Sequence, residues 1–317
     1  MKNKHTISFV ICFTALIISY YVTLRVDSTN YDDKYKRHTG IISNAIEYPY
    51  KYRLINPYIT QVYISLLEIA IPVKYAFLSA YAIQNFLVFL FLFFVITKYL
   101  SLWLDELGVI IGLLIFAVIV PLSLTGFDVL GDITTAGFMA LGFYFINTDK
   151  IKYLYPLVFI GAFNEFQIIL LVPFYFFGHK NNIKTWKVWR SSVFLVVAFV
   201  IGYAIVYFLR GGNAGTEDVV WYFTKDASYN ISHPGFILQW VIMIVPLLYF
   251  ALKEIKIKPE FLKRNLFTNL PVFYLFIFFF MGRMREIDKA LTIFIILIPL
   301  ALLSLLPGRK LTQNTET

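Results

Sequence analysis

Residues Tyr153 to Gly178 read YLYPLVFIGAFNEFQIILLVPFYFFG, two apolar runs with Asn164 and Glu165 between them. Each run is too short to cross a bilayer alone, which takes roughly 20 apolar residues in a helix. The stretch is therefore either one long helix with an acid in it or two half-helices meeting at Asn164-Glu165. The choice sets the direction of every later segment, so it decides the fold.

Loop charge bears on that choice. Around this stretch, apolar runs fall near 7–24, 75–98, 107–124, 129–147, 191–209, 235–252, 266–281 and 290–306. If 153–164 and 166–178 are a broken or re-entrant pair, about ten crossings result. With both termini cytoplasmic, the inner segments then hold 16 of the 28 basic residues and six of the 19 acidic ones. The basic connections 179–190 and 253–264 fall inside, as the positive-inside rule asks. A single crossing would put both outside, so the paired reading is preferred. Seven basic residues in the first outer segment run against it.

Composition agrees with a membrane solvent. Of 317 residues, 59% are hydrophobic and 15% charged, with mean hydropathy +0.71. A soluble domain is nearer a quarter charged and could not hide this much Phe and Leu. The apolar runs are continuous rather than alternating, which favours helices over a barrel. The expected fold is all-α and polytopic, with a long first outer loop. The net charge of +9 is spread over short loops, the pattern of membrane orientation rather than of nucleic-acid binding. Cys12 stands alone within the first run, so no internal disulfide is possible. That run follows a Lys-containing start but has no small-residue cleavage site after it, and reads as a retained helix.

Residues 1–306 read as one membrane domain and 307–317 as a disordered cytoplasmic tail. Outer segments are 25–74, with a semi-apolar stretch from Tyr58 to Ile71 suited to an interfacial helix, and 210–234. Polar residues concentrate on this outer side. They are Asp27, Asp32 and Asp33; the run from Glu47 to Pro57, with Tyr50 and Arg53; Asp128 and Asp132, four apart and so on one helix face; Asn164-Glu165; and the cluster Arg283, Arg285, Glu286 to Lys289. Each has a plain alternative, as helix-end charge, wet loop, aromatic belt or solvated turn. Glu165 differs, because an acid within some 25 apolar residues is expensive and usually functional. Arginine forks match phosphate oxygens, and a carboxylate can take a proton from a hydroxyl.

The order Asp32-Asp33-Lys34-Tyr35, then Tyr48-Pro49-Tyr50, in a long first outer loop resembles the GT-C superfamily of membrane glycosyltransferases and the related bacterial polysaccharide polymerases. The segment Tyr50 to Pro57, Asn164-Glu165 and Arg283-x-Arg285-Glu286 look like a pattern shared with bacterial membrane proteins of this kind. The chain is shorter than typical members, lacks a large soluble C-terminal domain, and follows its acidic pair with Lys34, Lys36 and Arg37. The resemblance implies a polyprenyl-phosphate-linked sugar donor and a glycan acceptor at the outer leaflet of the inner (plasma) membrane. It implies surface polysaccharide (O-antigen type) assembly by sugar transfer or by polymerisation of lipid-linked repeats. Asp32 or Asp33 would deprotonate the acceptor, and Arg53, Arg283 and Arg285 would hold the departing phosphate. Glu165 would partner an arginine or serve as a second base. Tyr50, Asn164, Asp128 and Glu286 would complete the binding set, and membrane lipids would be the other partners. Some GT-C members use a divalent metal. Here no ligand set stands out, so no metal or cofactor is expected. A transporter or flippase is the alternative, favoured by the break at Asn164-Glu165.

Overall fold

The computed structural model describes residues 4–46, 52–124, 129–179, 185–211 and 226–306. Among these the chain is helical, with no strand, and seven helices are long and apolar enough to cross a membrane. It is a multi-pass helical membrane protein. Helix α1 (Lys4–Val22) runs into a π turn, Thr23–Asp27. The first connection is itself helical, with α2 (Tyr31–Ile42) and α3 (Ile55–Leu67), the latter beginning three residues before the expected interfacial stretch. Next come α4 (Val73–Leu100), α5 (Glu106–Ser123) and α6 (Val129–Asn147). Asp105 caps α5, its side chain accepting from the Gly108 amide at 2.9 Å.

The 153–178 stretch is two short helices. α7 (Ile151–Gly161) stops, Glu165 is extended (φ −162°, ψ 147°), and a 3-10 turn, Phe166–Leu170, leads into α8 (Leu171–Gly178). The tip meets the start of α6, where Asn164 bonds Gly131 and Thr135. The far end of α8 returns to the end of α6, where Tyr175 and Gly178 share a cavity wall with Ile146 and Asn147. The pair is thus a hairpin with both ends on one side.

Helix α9 (Trp186–Leu209) crosses back, and Arg210 at its end donates to the Ile41 carbonyl at 2.7 Å, beside the end of α2. After α10 (226–232), α11 (Pro234–Leu252) leads to α12 (Glu260–Phe267). A π stretch, Leu270–Ile277, and α13 (Phe278–Met281) follow. The expected crossing at 266–281 is therefore divided between three pieces, with Pro271 at the second residue of the π stretch, where its missing N–H disturbs a regular ladder. A 3-10 turn, Ile287–Ala290, opens α14 (Leu291–Leu305).

Burial sorts the helices. Every residue of α14 from Leu291 to Leu302 is buried, as expected of a helix apolar all round. In α11 only Trp240 and Ala251 are buried, so its apolar surface faces outward. Glycines let helices approach on the hairpin. A Cβ at Gly202 of α9 would lie 2.6 Å from the Phe159 carbonyl oxygen of α7. Gly202→Ala therefore forces α7 and α9 apart. The expected loss is about 1–3 kcal/mol, as for other overpacking changes, read as a lower thermal midpoint of the detergent-purified protein.

Candidate functional site

The break in the hairpin leaves backbone groups that the apolar surroundings cannot satisfy. The segment before α3 and the first turn of α3 supply partners. The Leu54 amide donates to the Phe163 carbonyl at 2.8 Å. Asn56 Nδ2 reaches Asn164 Oδ1 (3.1 Å), the Leu130 carbonyl (3.2 Å) and Thr134 Oγ1 (3.0 Å). Asn164 Nδ2 donates to the Gly131 carbonyl and Thr135 Oγ1, both at 2.8 Å. Gln84 of α4 closes the set by donating to Asn56 Oδ1 at 3.2 Å.

Beside these amides lies the charged centre. Arg53 Nη2 donates to Glu165 Oε1 at 2.7 Å and sits 3.7 Å from Asp132 Oδ1. Thr135 Oγ1 donates to the other Glu165 oxygen at 2.9 Å. Asp132 Oδ1 is buried without a hydrogen-bond donor, so among the described residues Arg53 lies against two acids and hydrogen-bonds Glu165. Gly131 is where the guanidinium passes α6, since a Cβ there would be 3.2 Å from Arg53 Nη1. On the far side, Lys289 lies within electrostatic range of Asp132, Glu165 and Arg53 and bonds Glu286 at 2.5 Å. Gln167, just past the tip, donates to the Lys289 carbonyl at 2.7 Å, tying α14's start to the hairpin.

A second network adjoins the first. Asp27, at the end of α1's π turn, is fully buried; it accepts from Lys34 of α2 and from Asn85 of α4 at 2.8 Å. The Lys34 ammonium lies 3.8 Å from the centre of the Tyr81 ring. The Tyr81 hydroxyl meets His38 Nδ1 at 3.0 Å, and His38 Nε2 meets Gln61 Oε1 at 2.8 Å. With Gln61 accepting, the neutral ring carries its proton on Nε2. A small cavity of about 20 Å³, room for about one water, joins the networks between Lys34, Arg53, Asn56 and Asn164.

Of the residues singled out in the sequence, Glu165, Asn164 and Arg53 come together, with Asp132. Asp32 and Asp33 lie exposed in the first turn of α2, while Lys34 and His38 turn inward. Arg283 is exposed, paired with Asp226 at 3.4 Å and lying over Tyr229. Arg285 is exposed, and Glu286 is taken by Lys289. Tyr50 and Asp128, with the rest of the Tyr48-Pro49-Tyr50 run, lie outside the described residues.

Sequence reasoning passed over Lys34, Gln84, Asn85, Thr134 and Thr135, and grouped Asp27 with the wet-loop acids. The signal for two of them was present, since Gln84-Asn85 interrupts the middle of the 75–98 run. Among the described residues no group of three or more His, Cys, Asp or Glu could hold a metal ion. Comparison with protein-family models, curated proteins and solved structures found no match.

Two predictions follow from the charges. Arg53→Met removes the cation that bonds the largely buried Glu165 and lies against the buried Asp132, leaving only Lys289 nearby, and should cost about 3–5 kcal/mol of stability. Arg53→Met with Glu165→Gln should recover part of that loss in thermal unfolding; no recovery would mean that the pair does not couple the segments.

His38, on α2 outside the crossing helices, is the pH-sensitive group. Burial holds its pKa below the ordinary imidazole value, the Gln61 bond opposes this, and the Lys34 charge adds to it. Below about pH 6.5 the unfolded chain takes a proton that the folded ring resists, so stability rises with pH across that window. The thermal midpoint should fall as pH drops below 6.5 towards the folded-state pKa. His38→Gln should flatten that part of the profile.

Proposed function

We propose that this protein is a membrane glycosyltransferase that moves a sugar from a polyprenyl-phosphate carrier to a glycan hydroxyl at the outer leaflet of the plasma membrane, in surface polysaccharide assembly. The observation that carries the reading is Glu165. It is a carboxylate at the break of a hairpin, oriented by Arg53 and Thr135, on the side of the molecule that also bears the Arg283–Lys289 turn.

In the reaction, the acceptor hydroxyl gives its proton to Glu165 and its oxygen bonds the anomeric carbon. The bond from that carbon to the phosphate oxygen breaks, and the lipid phosphate leaves with the electron pair. Arg53 is engaged by Glu165, so its part is to aim the base. Arg285, exposed on the turn, is the arginine suited to grip the phosphate. The exposure of Asp32 and Asp33 shifts the base role assigned to them towards Glu165.

The topology that goes with this reading has ten crossings, counting α7 and α8 as two and α12 to α13 as one, with both termini cytoplasmic. The basic inner connections support it. In a Cys12→Ser background, cysteines at 285 and at 152 should be labelled from opposite sides of the membrane.

A polymerase of lipid-linked repeats is the nearest variant of this reading. Transport is the second reading, favoured by a broken hairpin whose tip sits among buried charges. The lipid-linked glycan profile of the host separates all three. With Glu165→Gln, a repeat lacking one sugar means a transferase, and single repeats without long chains mean a polymerase. A profile unchanged by deleting the gene removes both and leaves transport. Arg285→Lys should lose most activity, because lysine keeps the charge and loses the fork.

A further inference from the structure

We infer that the opposite end of the molecule carries a seat for the phosphate headgroup of an anionic membrane phospholipid, in the cavity between the ends of α6 and α8, the start of α9, and α12. The cavity measures about 540 Å³, within the usual range of about 300–1,000 Å³ for small-molecule sites. Its polar rim is Asn147, His179, Thr185 and Lys187, with Asp149 beside them, and its apolar wall includes Tyr175, Val188 and Phe261. The inference does not depend on the glycosyl-transfer reading.

The rim suits a phosphate. Lys187 pairs with Asp149 only at 3.8 Å, and both side chains are largely exposed (67% and 77%). Such a pair contributes little and readily exchanges its acid for a better anion. His179 Nδ1 donates to the Tyr175 carbonyl at 2.8 Å, so Nε2 of the neutral ring is an acceptor and Lys187 is the cationic donor of the rim. The Asn147 amide, which also donates to the Phe143 carbonyl at 2.7 Å, adds a further polar group.

The surroundings suit a lipid rather than a free ion. Trp186 (75% exposed) and Trp189 project from the first turns of α9, where aromatic side chains mark the level of the headgroups. Lys150, Lys152 and Arg190 are exposed close by in sequence, and such basic clusters draw anionic lipid surfaces. The cavity offers both a charged rim and an apolar wall, as a headgroup with its glycerol requires.

The test is thermal unfolding of the full chain in detergent with added phosphatidylglycerol, phosphatidylcholine of the same acyl chains, or orthophosphate. Wild-type protein should be stabilised by phosphatidylglycerol alone. Lys187→Gln, at an exposed position that folding does not need, should require about fivefold more of that lipid for the same shift. Lys152→Gln, which alters the same surface outside the cavity, should respond as wild type. Four outcomes overturn the proposal: an unchanged response in Lys187→Gln, an equal loss in both variants, equal stabilisation by phosphatidylcholine, or stabilisation by orthophosphate alone.

Discussion

The ion pair of Arg53 and Glu165, with the Leu54–Phe163 and Asn56–Asn164 hydrogen bonds beside it, holds together parts of the chain that lie far apart in sequence. It fastens the short segment before α3 to the tip of a hairpin more than a hundred residues later. The hairpin could not break within an apolar core unless its freed backbone groups found partners, since unsatisfied groups there cost several kcal/mol each. Leu54 provides one such partner for the Phe163 carbonyl, Asn56 and the first turns of α6 satisfy the Asn164 side chain at the tip, and the guanidinium closes the arrangement. Break and clamp therefore lie at one place in the fold.

A buried ion pair of this kind adds little net stability, because removing two charges from water offsets most of their attraction. Its effect is on specificity of arrangement. Among the described residues Arg53 faces Asp132 and Glu165 and hydrogen-bonds Glu165, so the centre is held by electrostatics that depend on where the tip of the hairpin sits. Lys289 approaches from the 3-10 turn that opens the buried helix α14, and Gln167 locks that approach to the hairpin. The adjoining Asp27–Lys34 pair does the same for α1 and α2, with Asn85 of α4 satisfying the second carboxylate oxygen. Both networks rely on amides that α4 carries on its inward face, where exposure to lipid would leave them unpaired.

The two ends of the bundle thus differ in chemistry. One carries buried, paired charges organised around a helix break, with an exposed arginine turn beside it. The other carries exposed basic side chains and tryptophans around an open cavity. Buried charge fixed by several helices suits proton movement at a defined atom. Exposed charge on long side chains suits attraction to a charged surface and little else.

The sequence by itself determined the solvent and the class of fold. Continuous apolar runs leave only helices in a bilayer, and the interruption at Asn164-Glu165 between two half-length runs allows a break that the basic connections 179–190 and 253–264 then favour. It also marked Glu165, whose charge is costly within an apolar stretch, whereas Arg53 stood only in the outer-loop run that the family resemblance singled out. Only the tertiary structure decided which acids are inside. Asp27, Asp32 and Asp33 look alike in a polar stretch, yet a π turn after α1 buries Asp27 while α2 turns Asp32 and Asp33 outward. The same rotation of α2 brings in Lys34 and His38. Partners such as Thr135 or Gln84 could not be read from spacing, because they come from separate helices whose relative rotation is set by packing rather than by local pattern.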